Sequence, residues 1–240
     1  MEGFKQLFDQ SGTADALIGL SMAYNNIGDS LKALGKTAEA TNYYQKTLEG
    51  FKQSFDQSGT SDALRLLTHS YYNMGVCLQV LSKTEEAIEY YQKAIEGYKQ
   101  VYEQSETVDT LRLLTNSYYN MGACLQVLSK KAEAIEYYQK AIEGYKQVYD
   151  QSGTVDALRL LSKSNATLGL YLKLLGKTIE AIGYFQKALE GFKQIYDQSG
   201  TADALRALSV LYNNIGDCMK ELGKTAEAGK YYQKALEGYK

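Results

Sequence analysis

Few residues in this chain have the types that do chemistry, and their spacing decides what they could do. There is one histidine, His69, and it has no second histidine with which to share a proton or a metal. It stands where Asn116 stands 47 residues later, so it reads as a variant of a surface or groove position. Cys77, Cys124 and Cys218 share one recurring position. Equivalent helix faces lie about 8–10 Å or more apart, which is too far for a disulfide. The three read as small packing residues, and neither a metal site nor a cofactor is expected. Gly-Lys-Thr at 35–37, 176–178 and 223–225 has the ending of a phosphate loop, but that loop needs a glycine five residues earlier. Ser30, Tyr171 and Cys218 stand there instead. Asn165-Ala166-Thr167 is a formal glycosylation sequon inside a predicted helix and carries little weight. No catalytic constellation emerges, and an enzyme is not expected.

Two ladders point to binding. The first is Asn26, Asn73, Asn120 and Asn214, interrupted by Thr167 in the fourth copy. A side-chain amide offers a donor and an acceptor, so it can pair with an extended peptide backbone. The competing reading is that these amides bond between neighbouring helices. The second ladder is Arg65, Arg112, Arg159 and Arg206, each three residues after an aspartate: Asp62, Asp109, Asp156 and Asp203. That spacing forms intrahelical ion pairs worth a few tenths of a kcal/mol, so self-pairing competes with ligand contact. Tyr72 and Tyr119, with Val76 and Ala123, add an aromatic and apolar middle. Units one and five carry Asn25, Asp29, Asn213 and Asp217; unit four carries Lys163, Ala166, Leu170 and Lys173. A peptide with apolar side chains centrally and charges towards its ends suits this pattern.

These residues are placed by a repeat. Gly28, Gly75, Gly122, Gly169 and Gly216 are each 47 residues apart, and self-similarity at that period marks a tandem array. In the unit from residue 60, Thr60-Ser61-Asp62 suits a helix start. Leu64, Leu67, Tyr71, Met74, Leu78 and Leu81 then form a helical stripe. Opposite it lie Arg65, His69, Tyr72, Asn73, Val76 and Gln79, within about a third of a turn. Ser82-Lys83-Thr84, or Gly-Lys-Thr in other copies, breaks the helix. Glycine suits the left-handed helix end and threonine the next N-cap. A second helix runs from Glu85 to about Gln104. Gly75 is expected to face Ala87 across the pair. Gly97 recurs mid-helix, where glycine costs about 1 kcal/mol, which implies close backbone approach. The tyrosines track packing positions such as Tyr44, Tyr91, Tyr138 and Tyr232.

The expected fold is all-α: a right-handed superhelical α-solenoid of five helix-turn-helix repeats. They run at about 13–57, 60–104, 107–151, 154–198 and 201–240, in one domain of 1–240. Residues 1–10 read as the tail of a second-type helix and the end from 225 as prone to fraying. No dedicated capping repeat is expected. Net charge is −2, so nothing argues for nucleic acid or an anionic membrane. The apolar runs are too short to span a bilayer, and a cytoplasmic location is expected.

The pattern Tyr71, Met74-Gly75, Leu78, Ala87, Tyr91, Ala94 resembles the tetratricopeptide repeat, and it recurs in all five units. The family unit is about 34 residues; this one is 47, with both helices lengthened. The proline that commonly ends the family's second helix is replaced by Lys52, Lys99, Lys146 and Lys193. The unit is similar to long-helix bacterial arrays and to the Tyr-x-Asn-x-Gly type of kinesin light chains and glycosyltransferase superhelices. The resemblance implies a right-handed superhelix whose first helices line a concave, peptide-binding groove. The family's carboxylate clamp is not reproduced. The expectation is a non-enzymatic scaffold for a protein or peptide partner, with the asparagines, arginines, Tyr72, Tyr119 and His69 in the groove. The alternative is a spacer or a module that self-associates end to end.

Overall fold

The computed structural model describes residues 13–237, so the short helix expected at 1–10 and the last three residues lie outside the description. Ten helices and no strand make up the described residues. The first helices of the hairpins have 20 residues each: α1 Ala14–Ala33, α3 Ser61–Val80, α5 Val108–Val127, α7 Val155–Leu174 and α9 Ala202–Glu221. The second helices have 22: α2 Thr37–Ser58, α4 Thr84–Ser105, α6 Lys131–Ser152 and α8 Thr178–Ser199. The last, α10, is described over Thr225–Glu237. This is the expected all-α tandem-hairpin organisation. Two compact units divide the chain, Met1–Tyr137 and Tyr138–Lys240, with the boundary inside α6.

Threonine starts the first helices as expected. The hydroxyls of Thr13, Thr60, Thr107 and Thr154 accept from the amide three residues on, at 3.2–3.4 Å. The turn inside each hairpin differs from expectation. Thr37 and Thr84 are not N-caps. They are the first helical residues and are buried, and Lys36 and Lys83 hold the cap position without a side-chain cap bond. Backbone closure explains this. The Lys36 and Lys83 amides donate back to Leu31 and Leu78 at 2.9 Å, so a Schellman turn ends the first helix and leaves no extended residue in front of the threonine. The residue before the lysine is left-handed: Gly35 at φ 74°, but Ser82 at 60° and Ser129 at 58°.

Small residues set the packing. A Cβ on Gly28 or Gly75 would sit 2.9 Å from the ring of Tyr44 or Tyr91. Tyr91, rather than the expected Ala87, therefore covers Gly75. The ring fills the space a side chain would need. At Gly169 the ring is Phe185, and the Ala181 carbonyl comes third at 3.3 Å. Gly50, Gly97 and Gly191 face the hydroxyl side chains of Ser21, Thr68 and Ser162 so closely that a Cβ would overlap them. The mid-helix glycines thus allow close approach between the two helices of a hairpin. The first three hairpins are also each tied by an aromatic pair. Tyr24–Tyr43, Tyr71–Tyr90 and Tyr118–Tyr137 have centroids 6.1–6.3 Å apart. Lys46 and Lys93 lie over the first two pairs at 5.3–5.7 Å.

Candidate interaction site on the first helices

In the first unit, a chain of hydrogen bonds runs between the first helices. Asp29 anchors it. A carboxylate accepts only, so it fixes the direction of the bonds that lead to it. Tyr44 donates to its Oδ1 at 2.6 Å, Lys32 reaches the same oxygen at 3.4 Å, and Asn25 Nδ2 donates to its Oδ2 at 2.9 Å. Asn25 therefore turns Oδ1 away, and Asn73 Nδ2 donates to that atom at 3.2 Å across from α3 to α1. Asn120 Nδ2 on α5 donates to the Tyr72 hydroxyl on α3 at 3.2 Å. Two of the four expected asparagines thus bridge consecutive first helices. Asn73 is buried, Asn120 half-buried and Asn26 exposed.

His69 joins this face to the second helix of its own hairpin. Its Nδ1 lies 3.0 Å from the hydroxyl of Tyr98, a fully buried residue, and its ring stacks on Tyr72 with centroids 6.2 Å apart. Burial holds the His69 pKa below its ordinary value. Burial also raises the Tyr72 hydroxyl, partly opposed by the Asn120 hydrogen bond and the Arg112 charge.

The arginines keep their aspartates. Arg65–Asp62, Arg112–Asp109 and Arg159–Asp156 are 3.8, 3.5 and 3.5 Å apart on exposed surface, and Arg206 is exposed on α9. Such pairs are weak and exchangeable. Tyr119 is half-buried on α5 and Asn214 half-buried on α9.

Four of the five hairpins match models of one family, described as the tetratricopeptide repeat: residues 20–57, 70–96, 115–143 and 210–237. The chain belongs to the tetratricopeptide repeat family. Solved structures of low identity share the fold of this tetratricopeptide repeat chain. BtubC (BKLC) from P. vanneervenii is 16% identical with a TM-score of 0.72, over 99% of this chain and 86% of that one. RapI in its apo form is 16% identical with a TM-score of 0.62, over 98% and 87%. A MamA protein is 22% identical with a TM-score of 0.58, over 91% of each chain. A search of curated protein sequences finds no match. As an array of tetratricopeptide repeats, the chain is a protein-interaction scaffold.

In the second unit of this repeat array, Lys173 on α7 reaches Asp217 on α9 at 2.8 Å, and Tyr232 donates to the other carboxylate oxygen at 2.9 Å. Lys173 first, then Tyr232, hold the Asp217 carboxyl below its usual range against partial burial. Sequence reasoning missed the aspartate–tyrosine pairs Asp29–Tyr44 and Asp217–Tyr232. The repeats give no clean signal for them: the fourth copy replaces both partners, with Leu170 and Phe185, but the second and third keep Tyr91 and Tyr138 where Val76 and Ala123 hold the aspartate position.

The remaining sequence candidates have structural places. Cys77, Cys124 and Cys218 are free, buried thiols, and burial pushes Cys124 up to about 11. Asn165 is buried, donates to the Leu161 carbonyl at 2.9 Å, and occupies the place Tyr71 has in its repeat, so its sequon is closed to a glycan. Among the described residues no cluster of His, Cys, Asp or Glu has the arrangement to hold a metal ion. No described helix is long and apolar enough to cross a membrane.

Proposed function

We propose that the first-helix faces bind an extended segment of a partner protein, without catalysis. The observation that supports this reading is the directed amide ladder of the first unit. Each of Asn73 and Asn120 gives one amide hydrogen to the preceding first helix. That leaves the second amide hydrogen and the carbonyl oxygen of each, the pair that a peptide backbone accepts and donates to. Bonds between helices and bonds to a ligand are therefore compatible here. The inter-helix bond fixes the rotamer in advance and lowers the ordering cost of binding.

The test is a peptide-display selection on the intact chain beside an Asn26→Ala/Asn120→Ala/Asn214→Ala variant of equal thermal stability. Asn73 is left in place because its loss also affects folding. Peptides enriched by the parent and lost by the variant support the groove; no enrichment by either rejects it. A second reading is self-association. It rests on Leu222 and Leu236 in the last hairpin, which are 39% and 63% exposed. Mass that rises with concentration in light scattering supports it; a constant monomer mass rejects it.

A further inference from the structure

The middle of the first unit's first-helix face collects donors and lacks acceptors of negative charge. From Arg65 to Gln79 on α3, and from Arg112 to Gln126 on α5, there is no aspartate or glutamate. Asp29, nearest in the preceding repeat, is already met by Tyr44, Asn25 and Lys32.

His69 takes a defined role in this cluster. The Tyr98 hydroxyl belongs to a fully buried residue, and His69 is its hydrogen-bond partner. If Nδ1 donated to it, the hydroxyl hydrogen would be orphaned in the interior, at a cost a folded protein avoids. The hydroxyl therefore donates to Nδ1, and the neutral ring carries its proton on Nε2. That N–H has no partner among the described residues. Beside it, the Tyr72 oxygen accepts from Asn120, and its own O–H remains to be given. The charges of Arg65 and Arg112 both reach the Tyr98 hydroxyl; Arg65 also acts on His69, and Arg112 on Tyr72. Each guanidinium holds its exposed aspartate through one loose contact, leaving N–H groups for a ligand.

We propose that α3 and α5 form a recognition site for an acidic peptide segment, in which carboxylate side chains seat over His69 and Tyr72 between Arg65 and Arg112. The inference rests on the peptide-binding reading above and names the partner's chemistry. The occupant is argued from charge complementarity: α3 and α5 offer four kinds of donor, no acid stands between Arg65 and Gln79 or between Arg112 and Gln126, and Asp62 and Asp109 hold the two arginines only through loose, exposed contacts. Neighbouring helices pack about 8–10 Å apart and an extended chain advances about 3.3 Å per residue. Acidic residues about three apart would therefore meet both repeats.

The test uses the full chain and N-acetylated, C-amidated fluorescent dodecapeptides, which have no terminal carboxylate. One carries glutamate at every third position in an alanine–serine background, and its twin carries glutamine there. The display selection above runs in parallel. The expected result is binding of the glutamate peptide at least about ten-fold tighter than its twin, weakening with salt. Arg65→Gln/Arg112→Gln should reduce that binding by about ten-fold or more, and His69→Phe by a smaller factor, with melting temperatures unchanged for the arginine pair. Equal binding of the two peptides overturns the inference, as does glutamate binding that survives Arg65→Gln/Arg112→Gln. Selection of neutral or basic peptides that depend on the groove asparagines overturns the acidic assignment alone. A selection that enriches nothing overturns both readings.

Discussion

The Tyr98 hydroxyl on α4 stands 3.0 Å from Nδ1 of His69 on α3, and Tyr98 is fully buried. This bond makes the single histidine a structural reporter. Burial is the main cause of its lowered pKa; Arg65 and Lys32 add to it and Asp29 opposes it. Tyr98 and Tyr72 are the other titratable groups against the ring. The unfolded chain takes up the proton near pH 6.5, whereas the folded chain resists until lower pH. Between those values the unfolded state binds more protons, so stability is complete above about pH 6.5 and falls as pH drops through it. The melting temperature should decline between pH 7.5 and 5.5. His69→Asn, which copies the next repeat, should flatten that decline. A parent profile as flat as the variant's would show that His69 does not set the pH dependence.

Two kinds of glycine should respond oppositely to alanine. Gly75→Ala would push a methyl to 2.9 Å from Tyr91, and Gly97→Ala would drive one into Thr68. Each should cost about 1–3 kcal/mol. Gly183 and Gly229 are also helical but have nothing within 4 Å of an added Cβ. Alanine there should gain about 0.5–1 kcal/mol. Denaturant unfolding of the four variants checks the contrast.

Ser82, Ser129 and Glu106 hold left-handed backbone at φ 60°, 58° and 47°, where other repeats use glycine. Replacing each with glycine should stabilise by about 1 kcal/mol, because a Cβ is unfavourable in that region. A loss on all three, measured by urea melts, would contradict the turn geometry.

Asn73 and Asn26 occupy the same place in successive repeats but not the same environment. Asn73 is buried and bonded to Asn25, whereas Asn26 is exposed. Asn73→Ala should therefore cost about 1–2 kcal/mol, and Asn26→Ala almost nothing. Equal effects in thermal melts would mean that the inter-helix bond contributes little.

The hairpins were legible in the sequence because period and polarity agree over five copies: the stripe from Leu64 to Leu81 and the threonines at 60, 107 and 154 lie where the helices need them. The turn was read less well. Gly-Lys-Thr has the composition of a glycine end followed by a threonine cap, but the Schellman closure moves the cap to lysine, and composition does not count hydrogen bonds. The candidate face was half legible. Helical spacing put Asn73 and Tyr72 on one side of α3. How deep Asn73 sits depends on α1, whose Asn25 it meets, and a one-helix projection lacks that neighbour. The Asp29–Tyr44 pair was not legible, because the tyrosine recurs as core in Tyr91 and Tyr138, where Val76 and Ala123 stand in place of the aspartate.

The most direct measurement is hydrogen exchange of the intact chain with and without a selected peptide. Binding across the first helices predicts added protection on α1, α3 and α5 around Asn25, Tyr72 and Asn120, with the outer faces of α2 and α4 unchanged. Protection centred instead on the cleft between α2 and α4, lined by Asn42 and Gln45 of α2 and Glu86 and Tyr90 of α4 with Met74 and Leu78 of α3 beneath, would place the partner on the second-helix side and contradict it.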